Sequence, residues 1–253
     1  MGKSIAIANQ KGGVGKTTTA INLCACLADF GRRTLLVDAD PQGNATSGLG
    51  IDKDKAPLCV YDGLINWAAA VGIIQPAPEA GLDVMPSAIR LAGAELELAA
   101  APEREFRLKK LLWPVKDNYD YIVIDCPPSL GLLAVNALTA ADSVLIPIQC
   151  EFYALEGVAQ FMNTVNLIRE AFNPSLQLEG IIMTMYDGRT NLSAQVEDEV
   201  RRHFGAKVYQ TIIPRNVRLS EAPSFGRSVL QYDRKSRGAE EYMSFAREVL
   251  GNE

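Results

Sequence analysis

Apolar residues fall in short runs of β character that alternate with longer stretches of helical spacing along most of the chain. The runs occupy 4–8, 34–38, 82–85, 121–125, 143–147, 179–185 and 207–212, and helical spacing falls near 16–29, 104–116, 155–172, 193–204 and 238–250. Short runs without a polar face suit strands covered on both sides. Their alternation with helices predicts an α/β fold with a mostly parallel central sheet and helices on both faces. In such a sheet ligands bind beyond the carboxyl ends of the strands. Asp38, Asp40 and Asp125 stand at or just past such ends, so motifs far apart in sequence converge on one crevice.

Between the first run and the first helix lies Gln10-Lys11-Gly12-Gly13-Val14-Gly15-Lys16-Thr17-Thr18-Thr19. A loop that cradles phosphates needs glycines so that successive N–H groups can face an anion. It also needs a lysine for the β- and γ-phosphates and a hydroxyl for Mg²⁺. Gly12, Gly13 and Gly15 supply the turn, Lys16 the charge and Thr17 the hydroxyl, with Val14 and Thr18 completing the nucleotide-contacting stretch. The usual G-x-x-x-x-G-K-[ST] spacing would put glycine at Gln10, and a second lysine, Lys11, follows it, so this is a variant P-loop. The fold expected is that of a P-loop NTPase.

Asp125 ends a strand where it would hold the hydration shell of Mg²⁺. Asp40 lies in the turn Asp38-Ala39-Asp40-Pro41, suited to orienting or activating an attacking water, and Asp38 is assigned to the magnesium shell. Aspartates before proline often do no more than form turns. The place of these two behind a buried strand, on the ligand edge, argues for more. Residues 126–133, rich in proline and glycine, read as a nucleotide-sensing switch. His203 is the sole histidine and has no partner for general-base or metal duty, so hydrolysis must rest on positioning and charge stabilisation.

The chain has 253 residues with no linker, low-complexity stretch or repeat, which predicts a single domain. No secretory signal and no membrane-length apolar run is present, so a cytoplasmic protein with no membrane association is expected. Five cysteines, an odd number without an export signal, argue against disulfides. Cys24 and Cys26 diverge on a helix and suit core filling. The net charge of −5 opposes attraction to nucleic acid as a whole. Charge is uneven, however: residues 213–237 carry Arg215, Arg218, Arg227, Arg234, Lys235 and Arg237 against Glu221 and Asp233, and Arg189 sits in a polar turn. Residues 52–81 carry no readable function.

The early lysine in K-G-G-x-G-K-[ST] resembles the deviant Walker A motif of the ParA/MinD group of ATPases. Leu35-Leu36-Val37-Asp38-Ala39-Asp40-Pro41-Gln42-Gly43-Asn44 resembles the group's second motif, and Tyr121-Ile122-Val123-Ile124-Asp125-Cys126-Pro127-Pro128 its Walker B strand. The order and spacing fit from residue 4 to about residue 237. Within the group, Pro214-Arg215-Asn216-Val217-Arg218-Leu219-Ser220-Glu221-Ala222-Pro223-Ser224 resembles the chromosome-partitioning ATPases of the ParA/Soj type.

That resemblance implies an ATPase using ATP and Mg²⁺, weak alone and stimulated by a ParB-like protein. Lys11 would reach across a homodimer to the partner's nucleotide, so that a catalytic set of Lys11, Lys16 and Asp40 is complete only in the dimer. Pro214 and Asn216 would flank or hydrogen-bond the base, with Met185 packing beside it. The ATP-bound dimer would bind double-stranded DNA nonspecifically, through Arg189 and Arg218, and so associate with the nucleoid. A MinD-like membrane ATPase would need a basic amphipathic C-terminal helix, whereas Arg247-Glu248-Val249-Leu250-Gly251-Asn252-Glu253 is short and acidic. A nitrogenase-type reductase would need cluster cysteines, and a metabolic P-loop enzyme a substrate pocket that the sequence does not reveal. A first strand at residue 4 predicts no separate DNA-reading domain before it.

Overall fold

A computed structural model describes residues 2–151 and 154–251. Its strands are β1 (Lys3–Ile7), β2 (Thr34–Asp38), β3 (Gln75–Pro76), β4 (Leu82–Met85), β5 (Tyr121–Asp125), β6 (Ser143–Gln149), β7 (Gln177–Tyr186) and β8 (Val208–Pro214). Among the described residues they form one sheet in the order β3-β4-β2-β5-β1-β6-β7-β8. Every pairing is parallel except that of β3 with β4.

Alternate side chains feed two cores, as a doubly covered sheet requires. Ile5, Ile7, Leu36 and Val123 pack with helices Lys16–Asp29 and Arg237–Gly251 on one face. Ala6, Leu35, Val37, Ile122 and Ile124 face the opposite core, shared with helices Val60–Ile65, Leu91–Leu98, Arg107–Leu112, Leu132–Ala140 and Ala154–Ala171. β1 lies between β5 and β6, and the chain departs to both sides of it, which opens a crevice beyond its carboxyl end.

The α/β architecture expected from the apolar pattern is present, with some boundaries moved. β6 continues through Pro147 to Gln149 where the expected run stops at 147. The single helix expected over 104–116 is a 3₁₀ turn at Arg104–Phe106, a helix at Arg107–Leu112 and a second 3₁₀ turn at Trp113–Asn118. Pro114 cannot donate to an α-helical ladder and its ring crowds the carbonyl four residues back. The helices Asn44–Gly48, Val60–Ile65 and Leu132–Ala140 were not foreseen, being too short or too uniformly apolar to show a period.

Both sheet edges are closed. β3 is two residues long and ends in Pro76. Along β8, the N–H groups of Gln210 and Thr211 donate to the Glu248 carboxylate at 2.8 and 2.7 Å, and Arg201 donates to the carbonyls of Tyr209 and Gln210 at 3.2 and 3.3 Å. All five cysteines are buried and free. Among the described residues no helix is long and apolar enough to cross a membrane.

Candidate nucleotide site

The loop between β1 and helix Lys16–Asp29 holds Gly13 at φ 75° and Gly15 at φ 86°, a region that side chains other than glycine rarely tolerate. A Cβ on Gly13 would meet nothing within 4 Å, so the requirement there is conformational rather than steric. Gly12 likewise faces open space. Three side chains that sequence reasoning passed over fix the loop and one of the carboxylates behind it. Asn9 donates to the Pro147 carbonyl at 2.8 Å and accepts the Lys11 N–H at 3.0 Å. The Thr184 hydroxyl reaches the carbonyls of Val14 at 2.8 Å and Ile148 at 3.0 Å. Thr46 acts on Asp38, as described below. Asn9 shows in the sequence as a polar residue closing an apolar run, whereas Thr46 and Thr184 carry no such signal.

Lys16 is buried beneath the loop, its Nζ donating to the Lys11 carbonyl at 3.2 Å. Burial lowers its pKa, opposed by the nearby Asp125 and Asp40. Thr17 and Thr18 follow in the first helical turn, where N–H groups lack intrahelical acceptors and the helix dipole is positive.

Asp38 and Asp125 are register partners at the ends of β2 and β5, and both are fully buried. One oxygen of Asp38 accepts the Thr46 N–H at 2.8 Å and the Thr46 hydroxyl at 2.7 Å, while the other accepts the Asp40 N–H at 3.2 Å. Burial still pushes its pKa up to about 6, against the lowering effect of Thr46. Neither oxygen of Asp125 has a hydrogen-bond partner. Burial, reinforced by Asp38, raises its pKa well above the usual range. The Thr17 side chain works in the opposite direction, without forming a well-aligned hydrogen bond to either oxygen.

Two adjoining buried carboxylates, one with every lone pair open, beside a threonine hydroxyl, suit a hard divalent cation. Mg²⁺ takes one or two carboxylates and completes its octahedron with phosphate oxygens and water. No cluster of three or more metal-binding side chains occurs among the described residues. Asp40 is buried just beyond, one oxygen accepting the Gln42 N–H at 2.9 Å. It is therefore a turn former and also a neighbour of the carboxylate pair.

Next to the loop lies a cavity of about 420 Å³ lined by Gly15, Thr18, Met185, Pro214 and Asn216 among others. The structure thus gathers the residues assigned to the base with those assigned to the phosphates. Asn216 also caps helix Val217–Glu221 by accepting the Arg218 N–H at 2.9 Å. Met185 sits at φ 51°, and the β7–β8 register slips on both sides of Met183. A non-glycine residue in that region stores roughly 1–3 kcal/mol of strain and is typical of ligand clamps.

The Lys11 side chain is half-exposed and paired with Glu151 at 2.5 Å. Arg189 is 88% exposed and paired in bidentate fashion with Asp187 at 2.9 and 2.7 Å. Arg218 is paired with Glu221 at 2.8 Å and Asp233 at 3.3 Å. The basic segment is more neutralised than its sequence suggests, because Arg234 finds Asp29 at 2.7 Å from the far end of another helix. Arg215, Arg227 and Lys235 make no ion pair among the described residues. Cys126 is buried behind Asp125, its thiol pKa pushed up by burial.

The glycine loop, the paired aspartates at adjacent strand ends and the base cavity on one sheet edge define a P-loop nucleoside triphosphatase. The AAA domain family model matches residues 2–178. The chain is 61% identical to the sporulation initiation inhibitor protein Soj of Bacillus subtilis over 100% of both chains. It is 54% identical to the chromosome partitioning protein ParA of Myxococcus xanthus, over 99% of this chain and 88% of that one. A crystal structure of cobyrinic acid a,c-diamide synthase from Mycobacterium smegmatis with bound ATP analogue and magnesium is 40% identical, with a TM-score of 0.87 over 99% of this chain and 95% of that one. The chain belongs to the ParA/Soj family of chromosome-partitioning ATPases.

Proposed function

We propose that this ATPase is a nucleotide-driven dimerising switch. Its ATP-bound homodimer binds double-stranded DNA without reading bases, and a ParB-like protein stimulates a slow hydrolysis that releases it, partitioning a chromosome or plasmid. Residues 1–253 act as one ATPase domain, associated with the nucleoid while dimeric. The observation that supports this reading is the division between two lysines of one loop. Lys16 is buried against its own phosphate cradle, whereas the Lys11 side chain is exposed and, among the described residues, paired with Glu151.

In this reading the N–H groups of Gly12 to Thr18 cradle the phosphates, Lys16 binds the β- and γ-phosphates, and Thr17, Asp38 and Asp125 hold Mg²⁺. The ion supplies charge neutralisation at the phosphate oxygens. Asp40 orients a water onto the γ-phosphorus, the bond to the β–γ bridging oxygen breaks, and ADP and phosphate leave. Lys11 from the partner subunit neutralises charge developing at the phosphates, as a trans-acting cation does in related chemistry. Pro214 and Asn216 hold the adenine.

Gel filtration with ATP, ADP or no nucleotide, paired with nucleotide-binding titrations, tests the division of labour. Lys16→Ala should lose ATP binding. Lys11→Ala should keep it while losing ATP-dependent dimerisation and hydrolysis. Equal loss of affinity in both variants, or an ATP dimer formed by Lys11→Ala, overturns the reading.

A further inference from the structure

A second cleft, of about 180 Å³, lies between the segment Trp67–Val71 and the helical stretch Arg107–Val115, and none of its residues lines the nucleotide cavity. Gly63 makes this approach feasible, since a Cβ there would clash with Leu111 Cδ2. Trp67 follows helix Val60–Ile65 at φ 56°, a strained setting for a tryptophan. Despite that strain it remains 60% exposed, and Val71, which also lines the cleft, is 71% exposed.

Beneath Trp67 lies Arg107, 9% exposed, its guanidinium 4.0 Å from the ring centroid. Its Nε is buried without a hydrogen-bond partner, and it makes no ion pair among the described residues. A buried cation without an anion is costly, and an arginine presents a planar fork shaped for a carboxylate. Lys110 also lines the cleft and pairs with Glu103 at 2.6 Å, while Lys109 borders a neighbouring hollow that shares Lys110. The surface is apolar and aromatic on top and positive underneath.

We propose that this cleft docks a short acidic-apolar segment of a partner protein, one carboxylate meeting Arg107 and a neighbouring apolar side chain resting on Trp67 and Val71. The positive charge of Arg107 and Lys110 selects an acidic partner, and the exposed tryptophan and valine demand an apolar residue beside the acid. The site does not depend on the nucleotide reading, because it shares no residue with that crevice.

Selection of a phage-displayed random peptide library on the full chain tests this, with Val71→Asp as counter-selection. Trp67 and Trp113 are the only two tryptophans and only Trp67 lines the cleft, so the emission of a Trp113→Phe variant reports binding at the cleft itself. Enriched peptides should carry Asp or Glu next to an apolar residue and change the tryptophan emission saturably. Replacement of their acids by amides should weaken binding by about tenfold or more. Arg107→Met and Val71→Asp should each do the same, and Val71→Asp, at an exposed position, keeps the test intact should Arg107→Met fail to fold. Peptides without acidic enrichment, binding indifferent to both substitutions, no enrichment over the counter-selected variant, or emission that responds to duplex DNA and not to peptides would each overturn the proposal.

Discussion

Thr46→Val removes a hydroxyl and keeps the volume. In the native protein that hydroxyl donates to Asp38 at 2.7 Å and accepts the Ser87 N–H at 2.9 Å, all in a buried setting. Loss of a hydrogen bond to a charged acceptor removes about 1.5–3 kcal/mol, and a buried N–H left without a partner costs about 1–3 kcal/mol more. The remaining Thr46 N–H bond to Asp38, at 2.8 Å, limits the damage. A loss near 3 kcal/mol is expected, a sizeable part of the roughly 5–15 kcal/mol that holds a domain folded. Urea unfolding without nucleotide, with an unchanged dependence on denaturant, reads it directly. Thr46→Ser keeps the hydroxyl and gives up one methyl, so it should lose only about 1 kcal/mol. If the valine variant matches or exceeds the serine variant in stability, the hydroxyl does not support Asp38 and the argument fails.

Asp40→Ala should let the ATP-bound dimer accumulate with DNA binding intact, because the group proposed to position water is gone; sedimentation with ATP checks it, and a variant that stays monomeric refutes the assignment. Arg189 and Arg218 sit in exposed ion pairs that a phosphate can displace. Their double alanine variant should lose about four phosphate contacts per dimer and flatten the log–log salt dependence of DNA affinity by up to ~3.6, and an unchanged slope with an intact dimer places the DNA face elsewhere. Burial raises the Glu79 pKa, and one of its oxygens is buried without a partner. With the native value raised, the stability it contributes is full below the ordinary carboxylate range and falls as pH rises through the native value. Glu79→Gln should therefore raise Tm at pH 7.5 and lose that advantage near pH 4, and equal shifts at both pH values would count against it.

The phosphate loop was legible because its demands are local. Gly13 and Gly15 satisfy a backbone requirement, and Lys16 and Thr17 follow at fixed spacing. The strands carrying Asp38 and Asp125 were legible because full burial leaves continuous apolar runs. What escaped is what depends on contacts across the chain. Thr184 lies 170 positions from Val14, whose carbonyl it reaches, and nothing near either residue announces the bond. Asp29 neutralises Arg234 across 205 positions, so a charge count over 213–237 could not include it. The stretch 52–81 was unreadable because its helices are short and lean on Arg107–Leu112, and a periodicity needs more turns than they have.

The closed sheet edges bear on how two copies can meet. An unpaired edge strand is a template that any second chain can extend, in any nucleotide state and at any crowding. Here the Glu248 carboxylate and the Arg201 guanidinium occupy outward-facing peptide groups of β8. Proline finishes the opposite border after two residues. A cell that fills with this protein is thus spared ribbon-like stacking of one sheet onto the next. In the ATP-bound homodimer proposed above, the two copies would therefore meet away from these borders, across the ligand-bearing rim.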